Sequence, residues 1–172
     1  MRRRRILEPM TRRTLVVVRH AHAVGHSHGG DHARALSPAG RDQAAGLGLR
    51  LAAELPVVDQ AAVSDAVRAV QTYEGLTRTL RVRRGWADRE LYDAGPRHVL
   101  RLARAFEGEV AMVVGHEPTI SGVGRLLARD EDVDLVRGGV GTATALLLDF
   151  DGAWQDLAPG MCSLRVIHEE RR

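Results

Sequence analysis

Apolar residues fall along this chain in two patterns. The short continuous runs at 15–18 and 110–114, rich in valine, read as strands buried on both faces of a parallel sheet. After the first run, Gly40, Ala44, Leu47, Leu51 and Leu55 recur at steps of four and three, which is one face of a helix. Ser37 and Pro38 supply its N-cap and first position, and Pro56 stops it. A weaker strand at 61–63 leads to a second helical face made by Ala66, Ala69, Tyr73, Leu76 and Leu80, with Ser64 or Asp65 as cap. Residues 81–95 are mixed and predict irregular structure, with a short strand near Val82. Pro96 opens a third helix running to about Phe106. The run at 110–114 passes through Gly115-His116-Glu117-Pro118 into a helix with Ile120, Val123 and Leu127 inward. A third apolar run at 142–150, a turn at Asp151-Gly152 and a last strand at 163–168 complete the pattern. This order implies one α/β domain over residues 14–168, with a mainly parallel central sheet and helices on both faces.

Composition limits the possibilities. The chain has 172 residues, 44% hydrophobic and 27% charged, which is enough for a substantial core. No apolar run approaches the roughly 18 residues of a membrane span, and no apolar segment of a secretory signal follows the basic start. Cys162 is the single cysteine, so no internal disulfide framework or multi-cysteine metal site can form. A cytoplasmic location is the resulting expectation.

Charge changes the picture once it is located. The net charge is +3, but residues 1–13 hold six arginines against Glu8, a net of +5, which leaves 3 − 5 = −2 for the rest. Residues 1–13 are therefore expected to form an Arg-rich disordered tail on a slightly acidic domain. All 25 basic residues are arginine. With aromatics at 3%, the chain lacks the stacking platforms of single-strand binders, which argues against a nucleic-acid partner.

In a parallel α/β sheet, ligands bind beyond the carboxyl ends of the strands. Arg19-His20, Ser64 to Arg68 and Gly115-His116 all fall at such ends. Two arginines and two histidines converging there describe an anion site, and phosphate is the natural guest, because the guanidinium fork matches its oxygens. Helix starts near residues 65 and 118 add N–H groups. A neutral imidazole in such a site can act as a nucleophile and carry a phosphoryl group.

These segments resemble the histidine phosphatase superfamily. Residues 15–21, Leu-Val-Val-Val-Arg-His-Ala, resemble its strand and Arg-His-Gly signature. Residues 35–40, Ala-Leu-Ser-Pro-Ala-Gly, resemble its Pro-Leu-Thr/Ser-x-x-Gly segment. Residues 64–72 resemble its Ser-x-x-x-Arg-Ala-x-Gln-Thr segment, and residues 113–118 its Val-Gly-His-x-Pro segment. The order is the family's, and the length, with no large inserted lid, is similar to the SixA-type branch of phosphohistidine phosphatases. The resemblance implies a three-layer, phosphoglycerate mutase-like fold. It also implies a phosphorylated nucleophile at His20, and Arg19, Arg68 and His116 as holders of the phosphoryl oxygens. Arg34 is a candidate rim arginine. Two departures stand out: Ala21 replaces the family's glycine, and Asp65 replaces its proline.

Ester-cleaving members use a carboxylate to protonate the leaving oxygen, and Glu90 falls in the region where such an acid could come. A phosphoramidate places less demand on an acid, because its P–N bond is weak and its leaving nitrogen protonates readily. His20, His22, His26, His28 and His32 crowd one segment, but nothing in their spacing completes a ligand set. A solvated, substrate-facing loop is expected there, with no metal and no cofactor. The sequence thus predicts a metal-independent phosphatase acting on a phosphorylated protein in the SixA manner. Its rivals are a phosphatase of small phosphate esters, such as sugar or glycerate phosphates, and a phosphate-binding module without turnover.

Overall fold

The computed structural model describes residues 10–169. The Arg-rich segment at 1–9 lies outside them. Among the described residues, six strands form one sheet: β1 (Arg12–Arg19), β2 (Val58–Ser64), β3 (Val82–Asp88), β4 (Val110–Gly115), β5 (Thr144–Asp151) and β6 (Ser163–His168). Their order across the sheet is β3-β2-β4-β1-β5-β6. The first four are parallel, while β5 runs antiparallel to β1 and to β6. Four helices cover it: α1 (Pro38–Glu54), α2 (Val67–Leu76), α3 (Pro96–Ala103) and α4 (Thr119–Leu127).

The continuous apolar runs are explained by cover on both faces. In β1, Leu15 and Val17 face one core with Val99, Ile120 and Val123 of α3 and α4. Val16 and Val18 face the other core with Ala44, Leu47 and Leu51 of α1 and Leu76 of α2. Side chains alternate along a strand, so a strand between two helical layers must be apolar at every position. The expected helical face of α1 is buried as the spacing predicts, and Ser37 Oγ accepts from Gly40 N–H at 3.0 Å.

Three expectations are corrected. β1 starts at Arg12, two residues early. Arg12 pairs with the buried Asp149 at 3.2 Å, and Arg13 donates to Gly152 O, so both belong to the sheet. Residues 82–88, read as largely irregular, form the edge strand β3, paired in parallel with β2. None of its residues is fully buried, so the apolar pattern that marks a strand is weak. The N-cap of α2 is Ala66, without a side-chain cap. Ser64 and Asp65 direct their side chains to His116 and His32 instead.

Candidate active site

The sheet register brings the three predicted clusters to one edge. Arg19 pairs with Gly115, and Val63 with Val114, so the residues that follow β1, β2 and β4 emerge together. His20 N–H donates to Gly115 O at 3.0 Å, which ties the first cluster to the third. β5 is antiparallel, so its start lies at the same edge, where Thr144 pairs with Arg19 and Ala143 N–H donates to His20 O at 3.1 Å.

His20 is buried, and its Nδ1 lies 2.7 Å from the carbonyl oxygen of Ala21. A carbonyl can only accept, so Nδ1 carries the proton and Nε2 presents its lone pair. Arg68 Nε donates to that Nε2 at 3.3 Å. Burial, together with the charges of Arg68, Arg19 and Arg34, lowers the His20 pKa to about 4, while the hydrogen bond to Ala21 works the other way. His20 is therefore a neutral imidazole near neutral pH, aimed at a guanidinium.

His116 stands beside it, with ring centroids 5.2 Å apart. Its Nε2 lies 2.8 Å from Ser64 Oγ. Ser64 Oγ also accepts from Ala66 N–H at 3.3 Å. His116 Nδ1 is buried and has no hydrogen-bond partner among the described residues. Burial first, then the neighbouring His20 and Arg68, lowers the His116 pKa to about 3.

Arg68 lies in the first turn of α2 and is buried. Its Nη1 donates to Asp31 O at 2.8 Å and its Nη2 to Asp31 Oδ2 at 3.1 Å. The same Oδ2 accepts from Tyr92 OH at 2.5 Å, and Oδ1 accepts from Arg34 Nε at 3.0 Å. Tyr92 and the arginines hold the Asp31 carboxyl far below the usual carboxylate range. Asp31 thus sits in the anion site as an internal carboxylate. Arg19 Nη1 donates to Val140 O at 2.7 Å, and Val140 N–H donates to Glu117 Oε2 at 3.3 Å. A loop before β5 therefore fixes the Arg19 side chain from the far side.

Four of the expected residues, Arg19, His20, Arg68 and His116, converge. Arg34 meets the cluster through the Asp31 carboxylate. Glu90 does not join them. It is exposed, and its carboxylate lies 3.5 Å from His98 Nε2. Asp65, the replacement for proline, meets His32 at 2.8 Å. Ala21, the replacement for glycine, is not among the residues with positive φ, so its Cβ brings no backbone strain. His22 meets Ser37, His32 meets Asp65 and the His26 and His28 rings lie against each other, and no group of three or more potential ligands gathers among the described residues. Asp31, Tyr92 and the Val140 loop were missed from sequence. Asp31 and Tyr92 lie 61 residues apart, and no local motif signals such a contact.

A sequence model of the histidine phosphatase superfamily (branch 1) matches residues 15–91. An uncharacterized protein of Mycobacterium tuberculosis is 33% identical over 90% of this chain and 100% of its own length. A structure from Nakamurella multipartitia, assigned as a phosphohistidine phosphatase SixA, is 32% identical and has a TM-score of 0.79 over 95% of this chain and all of that one. The protein histidine phosphatase SixA in complex with tungstate shares the fold at a TM-score of 0.73, with 18% identity over 91% of this chain and 97% of that one. The chain belongs to the histidine phosphatase superfamily. It is a phosphatase, which sets aside the reading as a binding module without turnover. Among the described residues, no helix is long and apolar enough to cross a membrane.

Proposed function

We propose that this protein is a phosphohistidine phosphatase working through a phosphoryl-enzyme on His20. The observation that carries the reading is the His20 tautomer: Nδ1–H is held by Ala21 O, and the Nε2 lone pair faces the Arg68 guanidinium. In the first step Nε2 attacks phosphorus and forms a P–N bond. The bond from phosphorus to the substrate nitrogen breaks, and that nitrogen leaves with a proton taken up from solvent. Positive charge growing on the His20 ring is met by the Ala21 carbonyl. In the second step a water oxygen attacks phosphorus, the P–Nε2 bond breaks, and inorganic phosphate leaves. Arg19, Arg68 and the His116 imidazole stabilise the phosphoryl oxygens in both steps. The incoming phosphoryl group takes the place of the Asp31 carboxylate on Arg68.

The position of Glu90 supports a phosphoramidate substrate, because the expected carboxylic acid is turned towards His98. One observation favours a second reading, cleavage of small phosphate esters. Tyr92 places a phenol O–H on the ionised Asp31 carboxylate beside Arg68, where a leaving oxygen could draw the phenolic proton. A turnover screen with EDTA present tests both. Phosphohistidine protein is expected to be the best substrate in a panel with sugar phosphates and p-nitrophenyl phosphate. A sugar phosphate with the highest kcat/KM would replace the first reading by the second.

A further inference from the structure

Three concavities on one side of the molecule share residues end to end. The first, about 520 Å³, adjoins the site and is lined by His32, Asp65, Tyr92, Arg89 and Asp93. The second, about 730 Å³, shares Arg89 and Asp93 with it and continues to His98 and Arg101. The third, about 720 Å³, shares His98 and Arg101 with the second and reaches Arg97 and Arg125 between α3 and α4. Together they make one open groove leading from the Tyr92 wall of the active site to the outer face of α3.

The groove is positively charged. Past the pocket mouth its lining carries Arg89, Arg97, Arg101 and Arg125 against Glu90 and Asp93, so 4 − 2 = +2. The chain beyond residue 13 carries −2, so the arginines are concentrated here against the trend of the domain. All four are exposed. Arg89, Arg97 and Arg101 have no ion-pair partner among the described residues, and Glu90 is turned to His98. Arg125 donates to the carbonyl of Val136, which anchors it without neutralising it. Unpaired like charges held side by side raise the local potential and attract a polyanionic partner.

The shape narrows the partner. Arg97 and Arg101 are four residues apart on α3, about 6 Å along the helix axis. Alternate residues of an extended strand repeat at about 6.8 Å. Gly95, Pro96 and Gly122 line the groove between the arginines and present little side-chain bulk. Such a groove accepts an extended backbone with carboxylates on every second residue. A sugar phosphate bound at His20 would leave it empty.

We propose that this groove docks an acidic, extended segment of a phosphorylated protein while the phosphoryl group of that protein sits at His20. The proposal rests on the phosphohistidine reading above and narrows its substrate class to a phosphoprotein with carboxylates flanking the phosphorylated residue.

The test uses the full chain and two synthetic peptides, each with one histidine phosphorylated by phosphoramidate. One peptide carries glutamates on both sides of the phosphohistidine and the other carries glutamines. The acidic peptide is expected to show a kcat/KM about tenfold higher at low ionic strength, an advantage lost in about 0.5 M salt, where screening is nearly complete. The double variant Arg97→Glu with Arg101→Glu is expected to lose that advantage while turning over p-nitrophenyl phosphate like wild type. Equal rates for both peptides on the wild type, or a preference that survives in the double variant, overturns the docking site. If neither peptide is dephosphorylated while p-nitrophenyl phosphate is, the phosphohistidine reading fails separately. The groove is then judged by fluorescence anisotropy with the unphosphorylated acidic peptide, whose binding must weaken about tenfold in the double variant. A single-stranded oligonucleotide of equal charge that binds more tightly than the peptide also overturns the choice of partner.

Discussion

At the scale of the residue, the site depends on where a few protons and charges lie. His20→Ala is expected to abolish turnover and the acid-labile phosphoryl-enzyme while the circular dichroism spectrum stays native, because the ring contributes little to either core. Retention of most activity would remove His20 as nucleophile. Arg68→Ala is expected to cost on the order of 100-fold in kcat, the usual worth of a preorganised charge facing the transition state. Arg68→Lys should recover only part of that loss, because an ammonium cannot hold two oxygens in a planar fork. Asp31→Asn should act in the opposite sense on product binding. With its anionic competitor at Arg68 neutralised, inorganic phosphate is expected to inhibit on the order of tenfold more tightly. An unchanged inhibition constant would mean that phosphate does not displace Asp31.

At the scale of the element, the site loops are held by close backbone packing. A Cβ on Gly40, in the first turn of α1, would fall 1.9 Å from His22 O, inside the loop that follows the nucleophile. Gly48 meets Leu76 O and Gly75 meets Ala44 Cβ, so α1 and α2 approach through small residues. Gly40→Ala is therefore expected to destabilise the fold by about 1–3 kcal/mol, the range of overpacking, measured by urea unfolding. A change below about 0.5 kcal/mol would show that the loop yields freely. The N-terminus of α2 illustrates a compromise at this scale. Ser64 and Asp65 could cap the helix, but their side chains position His116 and His32, and the helix starts without a side-chain cap. An α/β element has given up a local stabilisation of about 1 kcal/mol to build the site.

At the scale of the whole molecule, two buried neutral histidines link stability to pH. In the unfolded chain His20 and His116 titrate near 6.5, whereas in the fold they titrate near 4 and 3. Between those values the unfolded state binds more protons, so stability rises with pH there and is lost as pH falls below about 6.5. The melting temperature is expected to drop from about pH 7 to pH 4.5, and His20→Ala should flatten that dependence. An equal slope in the variant would show that other groups set it. Catalysis itself should persist in EDTA, since guanidinium groups and the His116 N–H supply the charge stabilisation that a metal supplies elsewhere. Loss of activity in chelator, restored by zinc or nickel, would assign catalysis to the loop histidines.

The sequence by itself determined the α/β alternation and singled out the four residues, Arg19, His20, Arg68 and His116, that the fold brings together. Those features are local or periodic: apolar runs, helical spacing, and a cation or imidazole directly after each of three strands. Only the tertiary structure decided which side chains complete the site. β3 was legible only in part because an exposed edge strand gives little apolar alternation. Asp31 and Tyr92 were invisible because their contact with Arg68 joins two 3-10 turns and a helix far apart in the chain. Glu90 sits one residue from buried Leu91 and two from Tyr92, and sequence cannot say which of these neighbours turns inward. The 3-10 turn at 89–92 turns Leu91 into the core and sends Glu90 out to His98, so it is backbone geometry that separates the carboxylate from the nucleophile.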